Sequence, residues 1–195
     1  MIKKTLLLIF ISVLSLNSFS YSQLSFGAGI VSYDTDLFDG TSGTYYADFS
    51  GYTDNNLVYS VGLAYEYTDV ITVGGTVEVD VTALLGGLGY AFGDLEEGAI
   101  TLGGTYMSLD YSGGGETLSD NEFLINLAYQ RMAEVGTNFS VGLNYKTACD
   151  NDESCESLFG QVEFPIGTSE WNFRVKGALD FDGVYGVSIG PTVKF

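Results

Sequence analysis

Few side chains in this sequence could do chemistry, and their types narrow the choice quickly. Glu78 and Asp80 stand two residues apart on one parity, a spacing open to carboxylate-only acid–base work. The plainer role for both is to balance neighbouring cations or to face water. The chain has no histidine, which removes the commonest general base and the commonest zinc ligand together. Asp34, Asp36 and Asp39 resemble a calcium loop, but the acids fall at relative positions 1, 3 and 6, where an EF-hand wants 1, 3 and 5. They are weak metal candidates and read better as a solvated acidic turn. Gly103-Gly104 and Gly113-Gly114-Gly115 lack the strand–helix context of a phosphate loop. Neither an enzyme nor a cofactor is expected from these residues. With 25 acids against 7 bases and a net charge of −18, nucleic acid is not an expected partner either, since phosphate binding needs clustered Lys and Arg.

Ahead of the elements that must carry these side chains lies an export address. Lys3 and Lys4 precede an apolar run of 11 residues, 6–16, and small residues follow in Ser18-Phe19-Ser20 and Ser20-Tyr21-Ser22. A basic start, a short apolar stretch and a small-x-small site spell a cleaved signal peptide. The run is too short for the roughly 20 residues of a membrane span. A signal peptide over 1–22 and one mature domain over 23–195 are expected. In an oxidising, exported setting Cys149 and Cys155 should pair across Asp150-Asn151-Asp152-Glu153-Ser154.

Beyond residue 22 the dominant signal is a period of two, the mark of strands with unlike faces. Trp171, Phe173, Val175, Leu179 and Phe181 share one parity, and Asn172, Arg174, Lys176, Ala178 and Asp180 the other. Leu57, Tyr59, Val61, Leu63, Tyr65 and Tyr67 alternate with Val58, Ser60, Gly62, Ala64 and Glu66. Segments of this kind cover 23–33, 57–67, 70–81, 84–93, 99–111, 122–131, 137–147, 157–166, 170–181 and 184–195, which is ten strands. Parity flips near Val81-Thr82-Ala83 without a good turn residue, so eight strands remain the alternative. The connections 34–56, 112–121 and 148–156 are expected to be long loops at one end, with tighter turns at the other.

The chemistry of the second face separates a membrane barrel from a soluble one. It is mostly Gly, Ser, Thr, Ala and Asn, too small and uncharged for a soluble surface. The expected fold is therefore all-β, a transmembrane antiparallel up-and-down barrel with large apolar residues on lipid. Glu66, Glu78, Asp80, Lys146, Glu163, Arg174, Lys176, Asp180 and Lys194 are then the charges of the lumen. Pairing equal faces puts Glu163 opposite Arg174, Phe164 opposite Phe173, and Trp171 opposite Phe195. Most remaining acids, Asp48 and Asp54 among them, are expected on outward loops.

The signal peptide, the alternation through 23–195 and the terminal Val193-Lys194-Phe195 together resemble the outer-membrane β-barrel proteins of Gram-negative bacteria. That resemblance implies a cell outer-membrane location. It implies that Tyr185, Val187, Ile189, Val193 and Phe195 form the carboxyl-terminal signal read by the barrel-assembly machinery. Pro191 departs from a clean ladder and predicts an irregularity there. Two functions stay open: a structural or surface-interaction barrel displaying acidic loops, and a narrow porin-like channel for ions or small solutes. The acidic face is expected to meet outer-membrane lipid and lipopolysaccharide through divalent cations. The oligomeric state is not legible.

Overall fold

A segment whose two faces differ, immersed in hydrocarbon, must find every backbone partner in neighbouring strands, and only a closed ring leaves no edge. The computed structural model describes residues 19–34, 39–72, 75–149, 154–167 and 170–195. The strands are β1 (Phe19–Asp34), β2 (Asp39–Thr53), β3 (Leu57–Thr72), β4 (Gly75–Phe92), β5 (Ala99–Gly113), β6 (Glu116–Arg131), β7 (Asn138–Lys146), β8 (Glu156–Pro165), β9 (Trp171–Asp180) and β10 (Val184–Lys194). Each pairs antiparallel with its chain neighbours, and β1 pairs with β10, closing a ten-stranded barrel.

The barrel is inside out relative to a soluble protein. Leu24, Ile30, Leu63, Leu84, Leu102, Leu127, Leu143, Val187 and Ile189 are all exposed on its outer face. Aromatic residues ring both ends of this apolar band. Tyr90 packs on Phe92 at 5.2 Å and Phe26 meets Trp171 edge-on at 6.4 Å near the chain termini; Tyr45 and Tyr67 stack at 6.2 Å towards the far end. An apolar band between aromatic girdles is the surface of a membrane-spanning barrel.

The strand number agrees with the alternation, but two strand identities do not. The expected loop 34–56 contains β2, because β2 carries bulky rings on both faces: Tyr45 and Phe49 outward, Tyr46 and Tyr52 inward. The expected strands 70–81 and 84–93 are one continuous β4, whose hairpin with β3 closes at Thr72–Gly75. The parity flip is a change of surroundings along one strand. Low in β4, Leu84 and Tyr90 face lipid; high in β4 the same face carries Glu78 and Asp80, beyond the apolar band. Those two acids are therefore outside the lumen, contrary to the expectation.

Strands β1 to β6 have 15–18 residues and β7 to β10 only 9–11. The far end is thus extended on one side by paired hairpins, where long loops were expected at 34–56 and 112–121. The loop between β7 and β8 is the long one, and there Cys149 and Cys155 form the expected disulfide.

The closing seam depends on glycine. A Cβ on Gly190 would stand 2.0 Å from the Phe26 carbonyl oxygen, and one on Gly27 2.1 Å from that of Ile189. The β1–β10 ladder skips Phe26 and Gly27 at the level of Pro191, which offers no N–H, so the irregularity expected of Pro191 is present. Gly190→Ala should therefore lower stability by about 1–3 kcal/mol, as overpacking does. The urea midpoint in detergent measures it, and an unchanged midpoint would contradict this view of the seam.

Candidate functional site

Alternation delivers one side chain in two to the lumen, so its chemistry can be assembled strand by strand. From β8 and β9, Glu163 and Arg174 stand directly opposite, as expected, and both are almost fully buried. Arg174 Nε donates to Glu163 Oε1 at 2.7 Å, and its Nη1 donates to Asp48 Oδ1 on β2 at 2.7 Å. Glu163 also accepts from Gln23 Nε2 and Gln161 Nε2, each at 3.1 Å. A buried charge is tolerable only when paired and hydrogen-bonded in this way. Asp48 was expected on an outward loop; β2 brings it inside instead.

Below this ionic layer, towards the termini, the lumen is filled. Tyr21 of β1 stacks on Tyr52 of β2 at 5.6 Å, and both belong to a buried cluster with Ala91, Leu95, Ala99 and Met132. Leu95 and Met132 reach it because the β4–β5 and β6–β7 connections fold inward and are tied by Met132 N to Leu95 O at 2.8 Å. Asn138 Nδ2 donates to the Tyr21 hydroxyl at 2.9 Å, and the hydroxyl donates to Gln23 Oε1 at 2.6 Å. Lys194 Nζ donates to the carbonyls of Ala133 and Glu134 at 2.9 and 3.3 Å. Side chains from β1, β2, β7, β10 and two turns thus meet across the opening and close that end.

A cavity of about 540 Å³ lies in the lumen, with Lys176, Arg174 and Asp48 on one wall, Gly87, Gly103 and Ala64 on the other, and Asn138 and Met132 at its lower end. Small residues on β3 to β5 leave this volume unfilled.

The remaining expected lumen charges lie higher. Glu66 faces inward and accepts from the Tyr33 and Ser42 hydroxyls. Lys146 pairs with Glu122 at 3.7 Å. Asp180 faces inward at the top of β9 and its carboxylate caps the next turn, accepting from Asp182 N at 2.9 Å. That cap makes Phe181-Asp182-Gly183 a three-residue turn, with Gly183 at φ +93°. Trp171 consequently faces Val193, two residues from the expected Phe195, and the faces are unchanged.

Glu78 and Asp80 share the outer face of the far hairpins with Asp69, and Asp80 accepts from the Tyr65 hydroxyl. Asp54 sits in the β2–β3 turn at the closed end, against the expectation of an outward loop. Asp34 pairs with Asp39 at the top of the β1–β2 hairpin; Asp36 lies outside the described residues. Among the described residues no group of acids and cysteines is arranged to hold a metal. Tyr185, Val187, Ile189 and Phe195 are exposed on the lipid face of β10 and just beyond it, with Val193 half-buried among them.

The fold and lumen define a class, a small ten-stranded membrane-spanning β-barrel closed at one end. No protein-family model matches the chain, and no curated protein is similar to it. Among solved structures it is similar to the outer membrane protein OprG from Pseudomonas aeruginosa, at 12% identity and a TM-score of 0.49, covering 92% of this chain and 97% of that one. It is similar to Ail, the attachment invasion locus protein of Yersinia pestis, at 13% identity and 0.45, covering 90% and 98%. Neisserial surface protein A follows at 9% identity and 0.45, covering 89% and 94%.

Proposed function

We propose that this is a non-enzymatic barrel of the bacterial outer membrane that works at the cell surface, with its closed end in the periplasm and its extended hairpins outside. The observation that carries this reading is the filled lumen end: Tyr21, Tyr52, Leu95 and Met132 form one buried cluster beneath the Glu163–Arg174–Asp48 layer. What remains accessible from outside is a blind vestibule and a rim of hairpin tips bearing Asp69, Glu78, Asp80, Asp110, Glu116 and Asp120. The orientation rests on both termini lying at the closed end, with β10 offering Tyr185, Val187, Ile189, Val193 and Phe195 to the assembly machinery. The direct test is single-channel recording of refolded protein in planar bilayers. Silence is expected; regular ohmic steps would replace this reading with the second one.

That second reading, a narrow channel, draws on the cavity of about 540 Å³ in the lumen. It demands that the closed end move.

The acidic rim suits lipopolysaccharide phosphates bridged by divalent cations, or a basic partner, because uncompensated like charges gather counterions. Calcium should then protect the hairpins from protease more than monovalent salt does at equal ionic strength. Equal protection would leave only diffuse screening, which reaches about 8–10 Å.

A further inference from the structure

We infer that the leader is removed between Ser20 and Tyr21, so that Tyr21 is the first residue of the mature protein. This rests on the export reading and goes beyond it. Peptidases that remove such leaders accept small residues one and three positions before the cut. Ser18 with Ser20 satisfies that rule, and so does Ser20 with Ser22, two residues further on. Sequence alone favours neither strongly, and the boundary at 22 follows the second.

The barrel distinguishes them by what each cut discards. Tyr21 is 1% exposed and is the ring around which the closed end packs. Its hydroxyl joins Gln23 to Asn138, its ring stacks on Tyr52, and the Lys194 ammonium lies 5.8 Å from its centroid. Its carbonyl accepts from the Tyr59 hydroxyl at 3.2 Å, and that hydroxyl also lies 2.6 Å from Ser22 Oγ. The Ser22 carbonyl accepts the N–H of the last residue, Phe195, at 2.8 Å. A cut after Ser22 would empty the centre of the plug and take away the acceptor that ties the carboxyl terminus to β1.

A cut after Ser20 discards far less. The β1–β2 register already breaks between Phe19 and Tyr21. Among the described residues, what is lost is one pairing, Phe19 with Thr53, and the contact of Ser20 Oγ with the Asp54 carboxylate. The reaction is hydrolysis: one water is consumed, the Ser20 carbonyl carbon gains the hydroxyl, and the Tyr21 nitrogen leaves as an amine that protonates. The new ammonium is released where Ser20 now meets Asp54, beside a recess that Asp94 and Glu96 also line. Among the described residues these acids have hydrogen-bond partners but no salt bridge, and the new ammonium supplies a cation beside them.

The test uses the full chain expressed in a Gram-negative host and recovered from its envelope, read by amino-terminal sequencing and intact mass. Tyr21 is the expected first residue. A chain beginning at Gln23 would overturn the assignment while leaving export intact; one beginning at Met1 would overturn both. Two variants decide the same point without any need for the barrel to fold, since precursor and product are told apart by mass. Ser18→Glu should accumulate precursor and Ser22→Glu should be processed normally. The opposite pattern sinks the proposal.

Discussion

Replacing Arg174 with methionine should destabilise the barrel by about 3–5 kcal/mol, the cost of leaving buried charge without its partner. The side chain is 2% exposed and holds two carboxylates at 2.7 Å, one of them on Glu163, which is itself 0% exposed. Removing it leaves Glu163 buried without its cation, with the partly exposed Asp48 carboxylate facing it. Gln23 and Gln161 still donate to Glu163, so the loss should fall at the lower part of that range. Adding Glu163→Gln to the methionine variant should recover part of the loss, because a neutral amide carries no orphaned charge. Urea unfolding in micelles reads both effects. A single-variant loss below about 1 kcal/mol would show that water reaches this layer and screens it like a surface pair.

How far this layer was legible in the sequence depends on how local its determinants are. Glu163 and Arg174 lie on adjacent strands joined by the short connection 166–170, and parity alone puts them face to face. Asp48 comes from β2, whose rings on both faces hide the period of two, so the third member of the layer was assigned to a loop. Trp171 was misplaced by two residues because Asp180 caps its own turn, a side-chain contact that hydropathy does not encode. Glu78 and Asp80 were put inside because alternation reports a change of face and a change of medium alike. The plug was wholly missed. Its members Tyr21, Tyr52, Leu95 and Met132 come from four separate pieces of chain, and two of them sit in or beside turns, where an apolar residue looks incidental. Only the closed ring brings them together. What alternation did establish is the medium: large residues on one parity and small ones on the other already require lipid outside.

Emptying that plug should convert a silent barrel into a conducting one. In a triple variant with Tyr21→Ala, Tyr52→Ala and Leu95→Ala, the closed end loses the stacked rings and the turn residue that fill it. One wall of the cavity above is already built of small residues such as Ala64, Gly87 and Gly103, so the cleared end would join it to the opposite side. Planar-bilayer recordings should then show steps that scale with bulk salt, whereas the unaltered protein and the Arg174→Met variant show none. The control matters because both variants lose stability, and only the triple one removes bulk from the opening. Large-to-small changes of this kind usually cost several kcal/mol each, so retained folding is verified first by the barrel's anomalous migration on gels without heating. If the folded triple variant stays silent, the ionic layer of Glu163, Arg174 and Asp48 is itself the seal, and the aromatic cluster serves only to anchor the turns. If the unaltered barrel conducts as well as the variant, the plug is no seal, and the narrow-channel reading replaces the closed one.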